Sequence, residues 1–153
     1  MKKIIIITIA LLCLQFANCV SKKYIMDKIE YYARLYNIED CFLKAIIETE
    51  SSFNPYARCK NDSNGYYSKG LCQINEAYHS GNLYQIDYNI KLGCKILTEC
   101  LILSHGNYSK CLMYYNAGYS KIEIQKKVPY KTKLYVKKVM TLYYYFKIDE
   151  LYP

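Results

Sequence analysis

Ile46-Ile47-Glu48-Thr49-Glu50-Ser51-Ser52-Phe53-Asn54-Pro55-Tyr56-Ala57 reads as the end of a buried helix that delivers one carboxylate to a polar cleft. Upstream, Ile38, Cys41, Phe42, Ala45, Ile46 and Thr49 recur at helical three/four spacing, an apolar stripe suited to a core. Asn37 is placed to cap the start, with Asp40 in the first turn where negative charge suits the helix dipole. Asn54-Pro55 ends the helix, because the residue before proline is pushed out of the α region. Glu50 stands four residues after Ile46, beside the apolar stripe. Glu48 faces away and reads as a solvated pair with Lys44. A carboxyl at the rim of an apolar face is partly desolvated, which favours its protonated form. A general acid working near neutral pH needs that.

The 153-residue chain opens on a targeting pattern. Lys2-Lys3 is a positive start, and Ile4 to Leu14 is an apolar run too short to span a bilayer. Ala17-Asn18-Cys19 reads as a small-x-small cleavage site, which divides the chain into a signal peptide, 1–19, and a single domain, 20–153. The alternative is a degenerate lipobox with Cys19 kept and acylated, although Phe16 and Asn18 are poor lipobox residues. Losing Lys2 and Lys3 takes the net charge from +8 to +6. A basic exported domain suits an anionic partner in the cell envelope, and no nucleic-acid motif is present. Cys41, Cys59, Cys72, Cys94, Cys100 and Cys111 remain, an even number that in an exported chain favours disulfides over metal. Cys94 and Cys100, on one helix, would lie about 9 Å apart along its axis and could not pair. No ligand-spaced histidines or Cys-x-x-Cys pair occur, so no metal and no cofactor is expected.

In chain order, Lys22 to Tyr36 and then Ile38 to Ser51 read as amphipathic helices. Arg58 to Lys69 is turn chemistry, with room for a small hairpin within Asn61 to Gln73. Gly70-Leu71-Cys72-Gln73-Ile74-Asn75 offers a tight backbone and one amide suited to sugar hydroxyls. Asp87 to Ser104 is the longest periodic stretch, its buried face marked by Ile90, Gly93, Cys94, Leu97, Leu101, Ile102 and Leu103. His105-Gly106-Asn107 stops it. Ser109 to Tyr115 is a short helix closed by Asn116-Ala117-Gly118. Thr132 to Phe146 is the last, with Leu134, Tyr135, Val139, Leu142 and Tyr143 as its apolar side. The whole is mainly α.

These motifs together resemble the catalytic domain of the soluble lytic transglycosylases (the SLT domain), within which the chain looks closest to small enzymes that accompany secretion, pilus and conjugation machinery. Glu50-Ser51-x-Phe53-x-Pro55-x-Ala57 carries the Glu-Ser signature. Gly70-Leu71-Cys72-Gln73-Ile74-Asn75 stands where the family has Gly-Leu-Met-Gln-Ile-Asn. Asp87-x-Asn89-Ile90-x-x-Gly93 matches its scaffold helix, and Tyr114-Tyr115-Asn116-Ala117-Gly118 its Ala-Tyr-Asn-Ala-Gly element. Cys72 and Tyr114 depart from the usual methionine and alanine. Cys59, Asn61 and Ser63 fall where some relatives place substrate-binding serines, and those roles are not carried over.

The resemblance implies a goose-type-lysozyme-like fold and cleavage of peptidoglycan between N-acetylmuramic acid and N-acetylglucosamine, in the periplasm or envelope. It makes Glu50 the catalytic residue. Tyr115 and Tyr135 would orient it and close the cleft, Gln73 and Asn116 would grip the sugar, and Ser51 would brace the helix end. Glycan strands are the implied partner, with a membrane only if Cys19 is lipidated. Two rival readings stand beside this one. The first is a lysozyme with Asp62 or another group activating water, and the second a wall-binding assembly factor without catalysis.

Overall fold

The computed structural model describes residues 22–61 and 65–151. The leader read over residues 1–19, Cys19 with it, and Asp62 lie outside those residues. Helix α1 (22–35) turns Ile25, Ile29, Tyr32 and Ala33 inward. It ends where Asn37 adopts a left-handed φ of 54° and the chain reverses into α2 (Asp40–Ser51). The expected cap is thereby corrected: Glu39 is the N-cap of α2 and makes no side-chain cap bond. Asparagine tolerates the left-handed region, so Asn37 closes one helix instead of opening the next.

Helix α2 buries Cys41, Phe42, Leu43, Ala45, Ile46 and Ile47; Thr49, expected on that stripe, is only half-buried, and Leu43 and Ile47 join it. Lys44 bonds Asp40 at 3.0 Å and Glu150 at 2.9 Å and makes no pair with Glu48, because the last helix brings up a better-placed carboxylate. After Ser51 two consecutive residues, Ser52 and Phe53, take φ of 50° and 58° and swing the chain away. Three short antiparallel strands follow, β1 (Arg58–Lys60), β2 (Tyr67–Lys69) and β3 (Ile74–Asn75), with Cys59 opposite Ser68 and Lys69 opposite Ile74. The hairpin begins at Arg58, earlier than the sequence signals placed it.

Helix α3 (Ile86–Leu103) buries Asn89, Ile90, Gly93, Cys94, Leu97 and Cys100. Ile102 and Leu103, expected on that face, are exposed, because the buried stripe leaves the helix at Cys100 and Ser104. Tyr24, Lys28 and Tyr32 of α1 all bond the Asp87 carboxylate in its first turn, tying the two helices together. His105 and Gly106 turn the chain through positive φ, and Asn107 caps α4 (Tyr108–Ala117) through the Lys110 N–H. A π-helical turn (Ser120–Ile124) leads to α5 (Tyr130–Leu151), which packs along α2 while α4 bridges α3 and α5. Helix α5 buries Thr132, Val136, Val139 and Tyr143. Leu134 is exposed, contrary to expectation. Apolar residues lie on both sides of α5, so periodicity does not single out the buried one.

The six cysteines among the described residues are free thiols, against the expectation of disulfides. Five are buried and serve as small apolar core residues, while Cys59 lies exposed on β1.

One clamp joins three helices. Glu39 accepts from Tyr108 (3.0 Å), Tyr143 (2.8 Å) and Lys147 (3.1 Å), and Phe42 stacks on Tyr108 with ring centroids 4.1 Å apart. Partial burial pushes the Glu39 pKa up, but bonds from Tyr143, Lys147 and Tyr108 outweigh it and hold the carboxyl below its usual range. A depressed folded pKa gives stability that is present above the unfolded value and lost as pH falls through the folded one. Glu39→Gln should therefore lower Tm by roughly 2–4 °C at pH 7, a modest loss because the group is half-exposed. At pH 3 the difference should shrink. Equal losses at both pH values, read by circular dichroism, would show that the charge is not what holds the clamp.

Candidate active site

Glu50 sits in the last turn of α2, half-buried, where the core stripe meets the loop at Asn54-Pro55. Burial raises its pKa to about 7, against the smaller downward pulls of the Tyr135 hydroxyl and the Lys138 ammonium. At neutral pH this carboxyl is poised between its two forms. Lys138 is the one charged side chain among the described residues that weighs on it. Glu76, a nearer alternative for a second acid, is engaged: Lys69 pairs with it and the Tyr67 N–H bonds it at 2.9 Å, which together hold it well ionised.

Two tyrosines expected at the site converge on it from different helices. Tyr135 comes from α5, its hydroxyl buried and without a formed hydrogen bond among the described residues, yet near enough to pull on Glu50. Burial first, and the Glu50 charge second, push the Tyr135 phenol well above its ordinary pKa, so it stays a donor. Tyr115 comes from α4 and also feels Glu50, but its hydroxyl is committed elsewhere and donates to the Cys72 carbonyl at 2.9 Å. It positions the turn beside Glu50 and makes no bond to the carboxyl.

That turn, Gly70 to Gln73, has little secondary structure of its own, and a residue missed as functional holds it. Asn89, fully buried in α3, accepts from the Cys72 N–H (2.8 Å) and donates to the Lys69 carbonyl (3.0 Å) and the Leu83 carbonyl (2.8 Å). An asparagine on the apolar stripe of a helix is the signal that could have found it. Gly70, with φ of 75°, lies so close to Asn89 and Leu83 that any Cβ would collide. A Cβ at Gly93 would land 2.5 Å from Cys72 Sγ. Held this way, Gln73 takes a left-handed φ of 47° and donates from its amide to the Gly70 carbonyl at 2.9 Å, its Oε1 left without a partner among the described residues.

The remaining expected residues lie at the margins. Asn116, exposed at the end of α4, accepts from Thr132 Oγ1 at 2.8 Å, which joins α4 to α5 and leaves its amide N–H groups outward. The Ser51 hydroxyl donates to the Ile47 carbonyl at 3.0 Å, as a brace for the helix end would, and is spent there.

The family model of the transglycosylase SLT domain matches residues 27–136. Protein IpgF of Shigella sonnei and Protein IpgF of Shigella flexneri are each 32% identical to the chain over 111 residues, covering 65% of it and 71% of theirs. Among solved structures, an inactive mutant of the lytic transglycosylase Slt of Pseudomonas aeruginosa matches 83% of the chain with a TM-score of 0.69 at 19% identity. The 70 kDa soluble lytic transglycosylase of Escherichia coli matches 79% with a TM-score of 0.65 at 22% identity. The chain spans 24% of the length of each, so this likeness is one of fold. The mainly α, lysozyme-like class read from the sequence is borne out.

Asn89→Ala would leave one buried N–H and two carbonyls unpaired, at a loss of at least about 2 kcal/mol. Urea unfolding should read that loss. Asn89→Asp should be no better, since a carboxylate accepts from Cys72 but donates to neither carbonyl. A fully stable Asp variant would refute this role.

Proposed function

We propose that this chain, which belongs to the transglycosylase SLT domain family, is a lytic transglycosylase that cuts peptidoglycan between N-acetylmuramic acid and N-acetylglucosamine. The observation that carries this reading is Glu50: one carboxyl, raised to about 7 by burial, with no second carboxylate among the described residues acting on it. Ordinary glycosidases use two carboxylates, one as acid and one as nucleophile or water base. A lone carboxyl that is protonated for part of the time can serve in turn as acid and base.

In the proposed reaction protonated Glu50 gives its proton to the glycosidic oxygen, and the C1–O bond breaks with both electrons going to the leaving sugar. The substrate's own N-acetyl group steadies the positive charge at C1. Glu50, now a carboxylate, takes the proton of the muramyl C6 hydroxyl as that oxygen bonds C1. A 1,6-anhydro ring closes, Glu50 is protonated again, and no water or cofactor is consumed. Tyr135 offers a buried hydroxyl toward Glu50, Tyr115 fixes the turn behind it, and Gln73 and Asn116 present amide groups for sugar polar atoms. Ser51 keeps the helix end in place. The setting that fits is the periplasmic envelope, serving local wall opening for a secretion, pilus or conjugation machine. No described helix is long and apolar enough to cross a membrane.

A lysozyme-type hydrolysis would need a water base; Asp62, the residue expected for it, lies outside the described residues, and Glu76, tied to Lys69, is poorly suited. A purely wall-binding factor has no need of a carboxyl held near 7. Digestion of purified peptidoglycan by residues 20–153, read by mass spectrometry, decides among the three. Anhydro-muramyl ends, lighter by one water, are expected; hydrated reducing ends would make the enzyme a hydrolase, and no release from folded protein would favour a binding role. Glu50→Gln should abolish release.

The pH dependence follows from Glu50. Its protonated form starts the reaction, so the rate should fall as pH rises through about 7. Tyr135 pulls that pKa down, so Tyr135→Phe should move the alkaline limb to higher pH even while lowering the rate. An unmoved limb would separate Tyr135 from the ionisation of Glu50.

A further inference from the structure

Beside the end of the catalytic helix lies a group of aromatic and cationic side chains that the reaction above does not use. Tyr56, six residues past Glu50 and so within about 20 Å of it along the chain, is 76% exposed. Its backbone N–H bonds Asn54 Oδ1 at 2.9 Å, an Asx turn that fixes where the side chain departs. The ring meets that of Tyr84 with centroids 6.4 Å apart and planes inclined by 38°. The Ala57 carbonyl accepts from the Gly70 N–H at 2.9 Å, so the Tyr56 loop is bolted to the turn that carries Gln73. Arg58 stacks its guanidinium 3.5 Å from the Tyr67 ring centre, and its charge adds to the groups that hold Glu76 ionised.

A single exposed tyrosine is ordinary surface. A paired, backbone-anchored set next to a polysaccharide cleft is a different matter. Tyrosine loses little conformational entropy on binding and offers a flat apolar face with a polar rim. The C–H face of a pyranose ring packs on such a face while its hydroxyls stay wet. The neighbouring strand exposes Arg58, Cys59 and Lys60 and no aliphatic side chain, which disfavours a greasy protein partner. Arg58 is stacked on its face, so its N–H edges are what an anion would meet.

We propose that Tyr56 and Tyr84 form a further saccharide subsite, holding a sugar of the glycan strand outside the scissile pair, with Arg58 beside them for a carboxylate of the strand's peptides. The subsite rests on the glycan reading of the cleft. It makes the enzyme favour long strands.

The test uses binding in the Glu50→Gln background, so that turnover does not intervene, with β-1,4-linked N-acetylglucosamine trimer and hexamer as probes in calorimetry. Tyr56→Ala and Tyr84→Ala should each weaken the hexamer roughly 3- to 10-fold, as expected for one lost ring contact, and leave the trimer unchanged. Tyr56→Phe, which keeps the ring, should retain the hexamer. Arg58→Met should weaken sedimentation with peptide-bearing peptidoglycan and spare the hexamer. Equal losses on trimer and hexamer, or no loss from variants shown to be folded, would overturn the subsite. The two readings fail separately. If wild type releases nothing from peptidoglycan but Tyr56→Ala still weakens the hexamer, the subsite stands and the reaction falls. If anhydro products form and the tyrosines do nothing, the reverse holds.

Discussion

The structure depends on keeping one carboxyl out of water. Glu50 stands at the end of a helix whose other face is core, and the groups around it come from separate parts of the chain: Tyr115 on α4, Tyr135 on α5 and Cys72 in the turn before β3. Desolvating a carboxyl opposes its ionisation, so the site is stable in the form that donates a proton and strained in the form that accepts one. The two residues that relieve the ionised form, Tyr135 and Lys138, are one helical turn apart on α5. A single helix therefore sets how far the ionisation is held back. The packing of α5 along α2, with Tyr143 and Lys147 clamped on Glu39 at the far end, is what keeps it in register.

The turn near Glu50 is made differently. From Gly70 to Gln73 the chain has too few ladder bonds to hold itself, and it contains two left-handed residues. Buried backbone groups without partners are costly, so something must supply them. Asn89 does so twice from the interior of α3, at the Cys72 N–H and the Lys69 carbonyl, and ties both to the Leu83 carbonyl, with the Tyr115 hydroxyl as a further hold on Cys72. A polar side chain placed inside a helical stripe is a sacrifice of apolar contact, and here it converts a floppy loop into a fixed edge. The resulting Gln73 conformation is one that a non-glycine residue adopts only under such constraint.

Much of this was legible in the sequence because it rests on strong local signals. The apolar stripe ending at Asn54-Pro55 placed Glu50, and the glycine-bearing stops placed the ends of α3 and α4. The reading failed where long-range partners decide. Asn37 has the chemistry of a cap for either flanking helix, and only the reversal between α1 and α2 assigns it to the first. Lys44 had a carboxylate four residues on, yet Glu150, more than a hundred residues away, and Asp40 took it. Leu134 and Val136 are both apolar, and the packing of α5 against α2 and α4 determines which is covered. For the site, residue type pointed to Gln73, while Tyr115, Asn116 and Tyr135 came from the resemblance to the family. That the Tyr115 hydroxyl serves a backbone carbonyl, and that Asn89 holds the turn, are facts of three dimensions.

The contact between Gly93 and Cys72 has a consequence for how such a chain can vary. With Cys72 Sγ occupying the space where a side chain at position 93 would begin, the two positions share one volume. Position 93 can grow only if position 72 shrinks, and the Tyr115 hydroxyl, 3.8 Å from where that Cβ would stand, bounds the space from a third side. Substitutions there are epistatic: the effect of one depends on what stands at the other. An alanine at position 93 collides with Cys72 as the chain stands and finds room only beside a smaller residue at position 72.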